Sequence, residues 1–232
     1  MVHITSISLN SSGILRLMHD DPPHPRYVEQ RLDKVRQTLS KPTAHLLKVV
    51  DTDNNDEIVA CAHWEIYANG RSDEQLKELE QPFEPLEEER ERFGQVQRDF
   101  FGSYLTRVRR ELGKTPHYCE LLPTLWHAGL AKDPSRSFKE CDKLTTPAAV
   151  LNLLITHPNH YRRGAGSMLI RWGTQKADNA GLICFLEASQ AGRPLYKRHG
   201  FEDRETTEFD LAKYGGTGVD KNTTMIRQPV KN

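Results

Sequence analysis

The sequence has no surplus of charge of either sign: 32 lysines and arginines stand against 32 aspartates and glutamates in 232 residues. A general nucleic-acid binder needs a basic excess to neutralise phosphates, so that class is set aside and only a small local phosphate site stays open. Cysteine is scarce. Cys61, Cys119, Cys141 and Cys184 are scattered with no CxxC pair, which removes the usual zinc and redox motifs and reads as reduced thiols in an intracellular protein rather than a disulfide framework. No apolar run approaches the ~18 residues of a membrane span. The opening MVHITSISLNSSGILRLMHDD lacks the basic cluster and apolar core of a secretory signal. GxxxxGK[ST] occurs nowhere, which excludes a P-loop. These absences lead to the expectation of a cytoplasmic protein, with the nucleus open, and no nucleic-acid or membrane partner.

What is present centres on Leu151 to Phe201. Leu151 to Thr156 is an apolar run of strand length, closed by His157-Pro158, since proline ends strand pairing. Arg162-Arg163-Gly164-Ala165-Gly166 follows, and a helical pattern starts at once, with Met168, Leu169, Trp172 and Ala177 on or near one face. Such a glycine-bracketed turn exposes free backbone N–H groups at the positive end of a helix dipole, where phosphate can bind.

The remainder reads as one domain, whose 37% apolar residues suffice for one core at this length. Ile4 to Leu9 alternates like a strand, and Arg26 to Leu39 has helical spacing. His45 to Val50 and Ile58 to Tyr67 flank a turn-forming segment and are expected to pair as a hairpin. Its second strand puts Ala60, Ala62, Trp64 and Ile66 on one face and Cys61, His63 and Glu65 on the other. Ser72 to Phe93 is helix-prone but divided by Pro82 and Pro85, and Phe93 to Leu112 continues as an amphipathic helix. Cys119 to Val150 shows no sustained period, and some thirty unpatterned residues are unusual where connections run to about 4–6. Two further strands, Phe201 to Leu211 and Thr223 to Gln228, close the chain.

The glycine turn has two open meanings. A dinucleotide fingerprint needs GxGxxG, and Gly164 and Gly166 fit while Leu169 takes the third place. Glu187, about twenty residues on, imitates the ribose-binding acid of that fingerprint, so a dehydrogenase stays in view. The second meaning draws in two further motifs, LEAS (Leu186 to Ser189) and LYKRHGF (Leu195 to Phe201). Together with YRRGAG (Tyr161 to Gly166) they resemble, in order, the signature of the GNAT superfamily of acyl-CoA N-acyltransferases. The likeness is strongest over Leu151 to Phe201 and closest to fungal members.

The resemblance implies a mixed α/β fold: a central, mostly antiparallel mixed sheet of about six or seven strands flanked by helices. It implies acetyl transfer from acetyl-CoA, as co-substrate, to the amine of a small molecule or peptide by direct attack in a ternary complex. A catalytically degenerate acyl-CoA-binding protein is the alternative. Carried over, Leu154, Ile155 and Thr156 would pair with the pantetheine, Arg162, Arg163, Gly164, Ala165, Gly166 and Ser167 would hold the pyrophosphate, and Ser189 would bond the cofactor or cap the next helix. Tyr196 would serve as general acid to the leaving thiolate; its other role is packing. No residue stands out as the base: Glu65, His63 and Glu187 are each candidates, a water chain would also suffice, and no metal is expected. Tyr161 departs from the signature's Gln or Arg. Against related sequences Cys119 to Val150 looks inserted, either a lineage-specific insertion or a gene-model error such as a translated intron.

Overall fold

The computed structural model describes residues 13–18, 25–82, 85, 87, 91, 93–113 and 146–230. The strand expected at Ile4 to Leu9 and most of the unpatterned segment, residues 119–145, lie outside them.

Two helices, α1 (Gly13–Arg16) and α2 (Pro25–Leu39), precede a hairpin of β1 (Ala44–Asp51) and β2 (Glu57–Tyr67). Its turn holds Asn55 and Asp56 at φ of 50° and 56°, a left-handed conformation that these side chains tolerate. Two more helices follow, α3 (Asp73–Glu80) and α4 (Gly94–Leu112). Ser72 starts α3 with a capping box, its hydroxyl accepting the Gln75 N–H while the Gln75 side chain accepts the Ser72 N–H. Then come β3 (Ala148–Thr156), α5 (Ala165–Ala180), β4 (Ile183–Ser189), α6 (Arg193–Arg198), β5 (Glu202–Asp210) and β6 (Val219–Arg227).

The six strands form one sheet in the order β1-β2-β3-β4-β6-β5. Every pair is antiparallel except β3 with β4. That pair needs a crossover, and α5 supplies it by packing across one face of the sheet. The expected mixed, largely antiparallel sheet flanked by helices is therefore present. One boundary differs from the sequence reading. Ala148, Ala149 and Val150, placed above in the unpatterned segment, are the buried first residues of β3 and pair with Tyr67, Ile66 and Glu65. Two alanines after a proline carry almost no strand signal of their own; the cross-strand register decides their conformation.

The face under α5 holds the main core. Ala60, Ala62, Trp64, Ala149, Leu151, Leu169, Ile170, Cys184, Leu186 and Met225 meet there, as the alternation in β2 requires. Trp64 has no exposed surface and donates its indole N–H to the Leu169 carbonyl at 3.2 Å. Its ring lies flat against Gly173, where a Cβ would sit 2.1 Å from the indole. Burying such a ring is worth about 1.5–3 kcal/mol, and only glycine lets the helix come close enough. The opposite face carries Tyr67, Val108, Leu112, Val150, Phe185 and Ile226, so α4 covers that side. Cys61 and Cys184 are free and buried, and burial pushes the Cys184 thiol up to about 12, which makes it inert. Cys119 and Cys141 lie outside the described residues.

Candidate active site

The sheet is divided at its middle. β3 and β4 pair only from Ala148↔Ile183 to Leu151↔Leu186. Beyond that point β3 continues along β2 to Thr156, while β4 continues along β6 to Ser189. The registers show what parts them. His63 faces Leu153 and Trp64 faces Leu151, so Asn152 is an extra residue without a partner on β2. A bulge of this kind bends its strand, and it falls one residue after the last β3–β4 pair. The result is a wedge in which the β4-side edge of β3, from Asn152 to Thr156, has no strand beside it among the described residues. Backbone amides along such an edge can pair with an extended ligand that carries amides of its own.

The glycine turn lies at the open end of this wedge. Arg162 has φ of 60° and Gly164 of 91°, so the chain winds left-handed at both positions before α5 begins. Gly164 is the residue before the helix and offers no side-chain cap. The first intrahelical bond is Met168 N–H to the Gly164 carbonyl, 3.1 Å. Ala165, Gly166 and Ser167 therefore present first-turn N–H groups at the positive helix end, an arrangement suited to a diphosphate. A Cβ on Gly166 would lie 3.1 Å from Leu195, 3.6 Å from Leu154 and 3.8 Å from Thr156 Oγ1. One helix turn thus brings together the glycine motif, the free strand edge and the helix of the LYKRHGF motif.

Of the expected cofactor residues, Leu154, Thr156, Gly164, Ala165, Gly166 and Ser167 converge at this place. Ile155 points to the other face and packs with Cys61, leaving only its main chain at the edge. Ser167 Oγ lies 3.0 Å from His199 Nε2, and burial pushes the His199 imidazole below its ordinary value, helped by Arg171, Arg198 and Arg227. Arg163 turns away: its guanidinium bonds Asp51 Oδ2 at 2.8 Å and lies 2.6 Å from His160 Nδ1, holding the Asp51 carboxyl below its usual range. Arg162 is exposed beside the turn. Ser189 caps the turn into α6, its Oγ accepting the Gly192 N–H at 3.2 Å. Tyr196 is buried in the main core, edge-on to Phe201 with centroids 6.0 Å apart. Burial pushes its phenol above the ordinary value, so it stays protonated.

On the α4 side a row of polar residues crosses the wedge. Glu187, the acid that imitated a ribose ligand, is held by Arg107, with Nε to Oε1 and Nη2 to Oε2 both at 2.5 Å. Thr224 donates to the same carboxylate at 2.9 Å, Asn222 reaches it at 3.4 Å, and Arg107 also donates to Thr207 at 2.9 Å. Both partners of the pair are almost fully enclosed. These contacts occupy both oxygens of Glu187 and anchor α4 to the sheet. Tyr104 donates to Asn152 Oδ1 at 3.0 Å, directly at the bulge. Burial raises its phenol, as do the Glu187 and Glu65 carboxylates. Tyr67 donates to Glu65 Oε2 at 2.6 Å.

The sequence does not single out Asn152 or Arg107, and it marks Tyr104 only as one aromatic of the amphipathic helix that could contact a substrate. A bulge leaves no composition signal, but Arg107 did leave one. It lies three residues after Tyr104 and one before Val108, on the apolar stripe of an otherwise amphipathic helix, where an arginine needs a buried partner.

A parted parallel pair facing a glycine-started helix sets free strand-edge amides beside first-turn helix amides, an arrangement able to pair with an amide-bearing arm and a diphosphate. Residues 135–203 match the family model of the acetyltransferase (GNAT) domain. The fold is similar to that of a mosquito arylalkylamine N-acetyltransferase-like protein, at 12% identity over 98% of this chain and 92% of that one, with a TM-score of 0.53. It is also similar to the Drosophila melanogaster polyamine N-acetyltransferase that forms N-acetylagmatine, at 15% identity, the same coverages and a TM-score of 0.50. Comparison with curated proteins finds no significant match. The domain match and the shared fold support an acyltransferase. No helix among the described residues is long and apolar enough to cross a membrane.

Proposed function

We propose that this protein is an N-acetyltransferase that moves the acetyl group of acetyl-CoA to an amine by direct attack in a ternary complex. The observation that carries the reading is the wedge: β3 and β4 part at Leu151 and Leu186, and Gly166 of the helix-start motif faces the released strand at Leu154 and Thr156. The first-turn amides of α5 would hold the pyrophosphate, the main chain of Leu154 to Thr156 would hold the pantetheine amides, and the thioester would lie near the bulge. Ser167 and Arg162 adjoin the phosphates, while Ser189 contributes by shaping the turn. Tyr196 is the acid for the departing thiolate; its raised phenol keeps the proton needed there. The HP…RRGAGSML…LEAS…LY…GF run supports a likeness to fungal members.

The burial of Tyr196 against Phe201 favours a second reading, a protein that binds acyl-CoA without turnover. A thiol-release assay with acetyl-CoA and a broad amine panel separates the two. Turnover on any amine establishes the enzyme. Acetyl-CoA binding with no turnover on any amine establishes the binding protein, and stabilisation by NAD but not by acetyl-CoA in a thermal-shift assay refutes both.

A further inference from the structure

We infer that His63 is the proton acceptor for the incoming amine, with Glu65 as its positioning residue; this rests on the acetyltransferase reading above. The placement follows from the sheet. α5 and α6 close one face of the wedge, so an amine meeting the thioester must arrive from the α4 face. Trp64 and Ala62 point toward α5, and His63 and Glu65 therefore point to the α4 side. His63 pairs with Leu153 and Glu65 with Val150, so the two side chains flank Asn152, where the strands part. They are the β2 residues nearest to the place where the thioester would lie.

The local chemistry singles out His63. Glu187 is saturated by Arg107, Thr224 and Asn222. Glu65 is held by the Tyr67 hydroxyl and keeps Oε1 3.7 Å from His63 Nε2. His63 Nε2 is buried and has no hydrogen-bond partner among the described residues. Burying a polar atom unpaired costs about 1–3 kcal/mol, a penalty that a substrate proton would relieve. The groups acting on the ring are Glu65 on its own strand, Lys41 and His45 from the β1 side, and Tyr104 approaches the same place from α4. Burial pushes the imidazole below its ordinary value and Glu65 works against that shift, so the ring is neutral and ready to accept at neutral pH.

The step balances. The ammonium form of the acceptor gives one proton to the His63 ring, and the Glu65 carboxylate faces the imidazolium formed. The neutral nitrogen attacks the thioester carbon; the C–N bond forms as the C–S bond breaks, Tyr196 gives its phenolic proton to the sulfur, and the second amine proton restores the phenol. His63 then returns its proton to water.

The test compares wild type, His63→Gln and Glu65→Gln on an amine that wild type acetylates, across pH, with acetyl-CoA affinity measured alongside. A positioned base contributes ~10²–10⁴-fold. His63→Gln is expected to lose that much of kcat/KM near neutral pH while acetyl-CoA affinity holds. The loss is expected to shrink for an acceptor amine already unprotonated at pH 7. Glu65→Gln is expected to lose less and to move the acidic limb of the profile to lower pH, because Glu65 holds the ring's pKa up. A His63→Gln protein that keeps the wild-type acidic limb, with kcat/KM within a few fold, overturns the assignment alone. A wild type that binds acetyl-CoA but acetylates no amine overturns it together with the acetyltransferase reading.

Discussion

Placing a carboxylate at Gly164 tests the cofactor site most directly. Gly164 precedes α5 at φ 91°, and a Cβ there would meet nothing within 4 Å. A side chain fits sterically, and its cost is backbone strain, about 1–2 kcal/mol for a non-glycine residue in the left-handed region. Gly164→Ala carries that strain alone. Gly164→Asp carries it, less the tolerance of aspartate for this conformation, and adds an anion beside the N–H groups of Ala165, Gly166 and Ser167. A negative charge at a helix start contributes about 0.3–1 kcal/mol of stability, so the aspartate variant should melt at or above the alanine variant. Binding should move the opposite way. Two unit charges 4 Å apart near a protein surface interact by about 4 kcal/mol, and the carboxylate also competes for the same donors. That interaction corresponds to a loss of about 10³-fold in acetyl-CoA affinity relative to Gly164→Ala, at about 1.4 kcal/mol per decade. Calorimetric titration of both variants at low and high salt reads it, and the gap should narrow as salt rises because the turn is solvent-facing. A folded Gly164→Asp protein that binds acetyl-CoA as well as Gly164→Ala refutes a pyrophosphate at this turn.

Arg107→Met leaves the Glu187 carboxylate buried with only Thr224 and Asn222. Breaking a buried pair from one side costs about 3–5 kcal/mol, so the urea midpoint should fall steeply, and the double variant with Glu187→Gln should recover part of the loss. Asp178 accepts both Arg227 amine groups, at 2.7 and 2.8 Å, and the Val230 N–H at 2.8 Å; the Arg227 guanidinium holds its carboxyl below the usual range. A depressed pKa gives stability that is fully present above the unfolded value, about 3.9, and lost as pH falls through the folded value. The stability difference between wild type and Asp178→Asn should therefore be flat above about pH 5 and shrink below about pH 4 in denaturant titrations, since both pKa values lie below the plateau. Tyr196→Phe removes only the hydroxyl, so stability and acetyl-CoA affinity should hold while kcat falls by ~10²-fold or more if the phenol is the acid; an unchanged kcat assigns Tyr196 to packing.

How much of this was legible in the sequence depends on whether the signal was local. The turn at Gly164, the helix after it and the alternation in β2 are each set by residues within a few positions of one another, and the structure has them where the pattern put them. The parting of β3 from β4 is not local. It depends on a one-residue mismatch between β2 and β3 that appears only when the two strands are laid side by side, because Asn152 inside LNLLIT reads as an ordinary strand residue. The same limit applies to Glu187. At twenty residues from the glycine turn it imitates a ribose ligand, and only its register opposite Thr224, together with Arg107 reaching down from α4, shows it to be an anchor. Sequence spacing thus put two carboxylates and a histidine on one list of candidate bases. Three-dimensional pairing separates them: Glu187 is bound by an arginine and Glu65 by a tyrosine, while among the described residues His63 keeps a ring nitrogen unpaired. A buried nitrogen without a partner is a cost that packing alone does not explain, and its position beside the bulge ties that cost to the place where, on the proposed reading, the amine loses its proton.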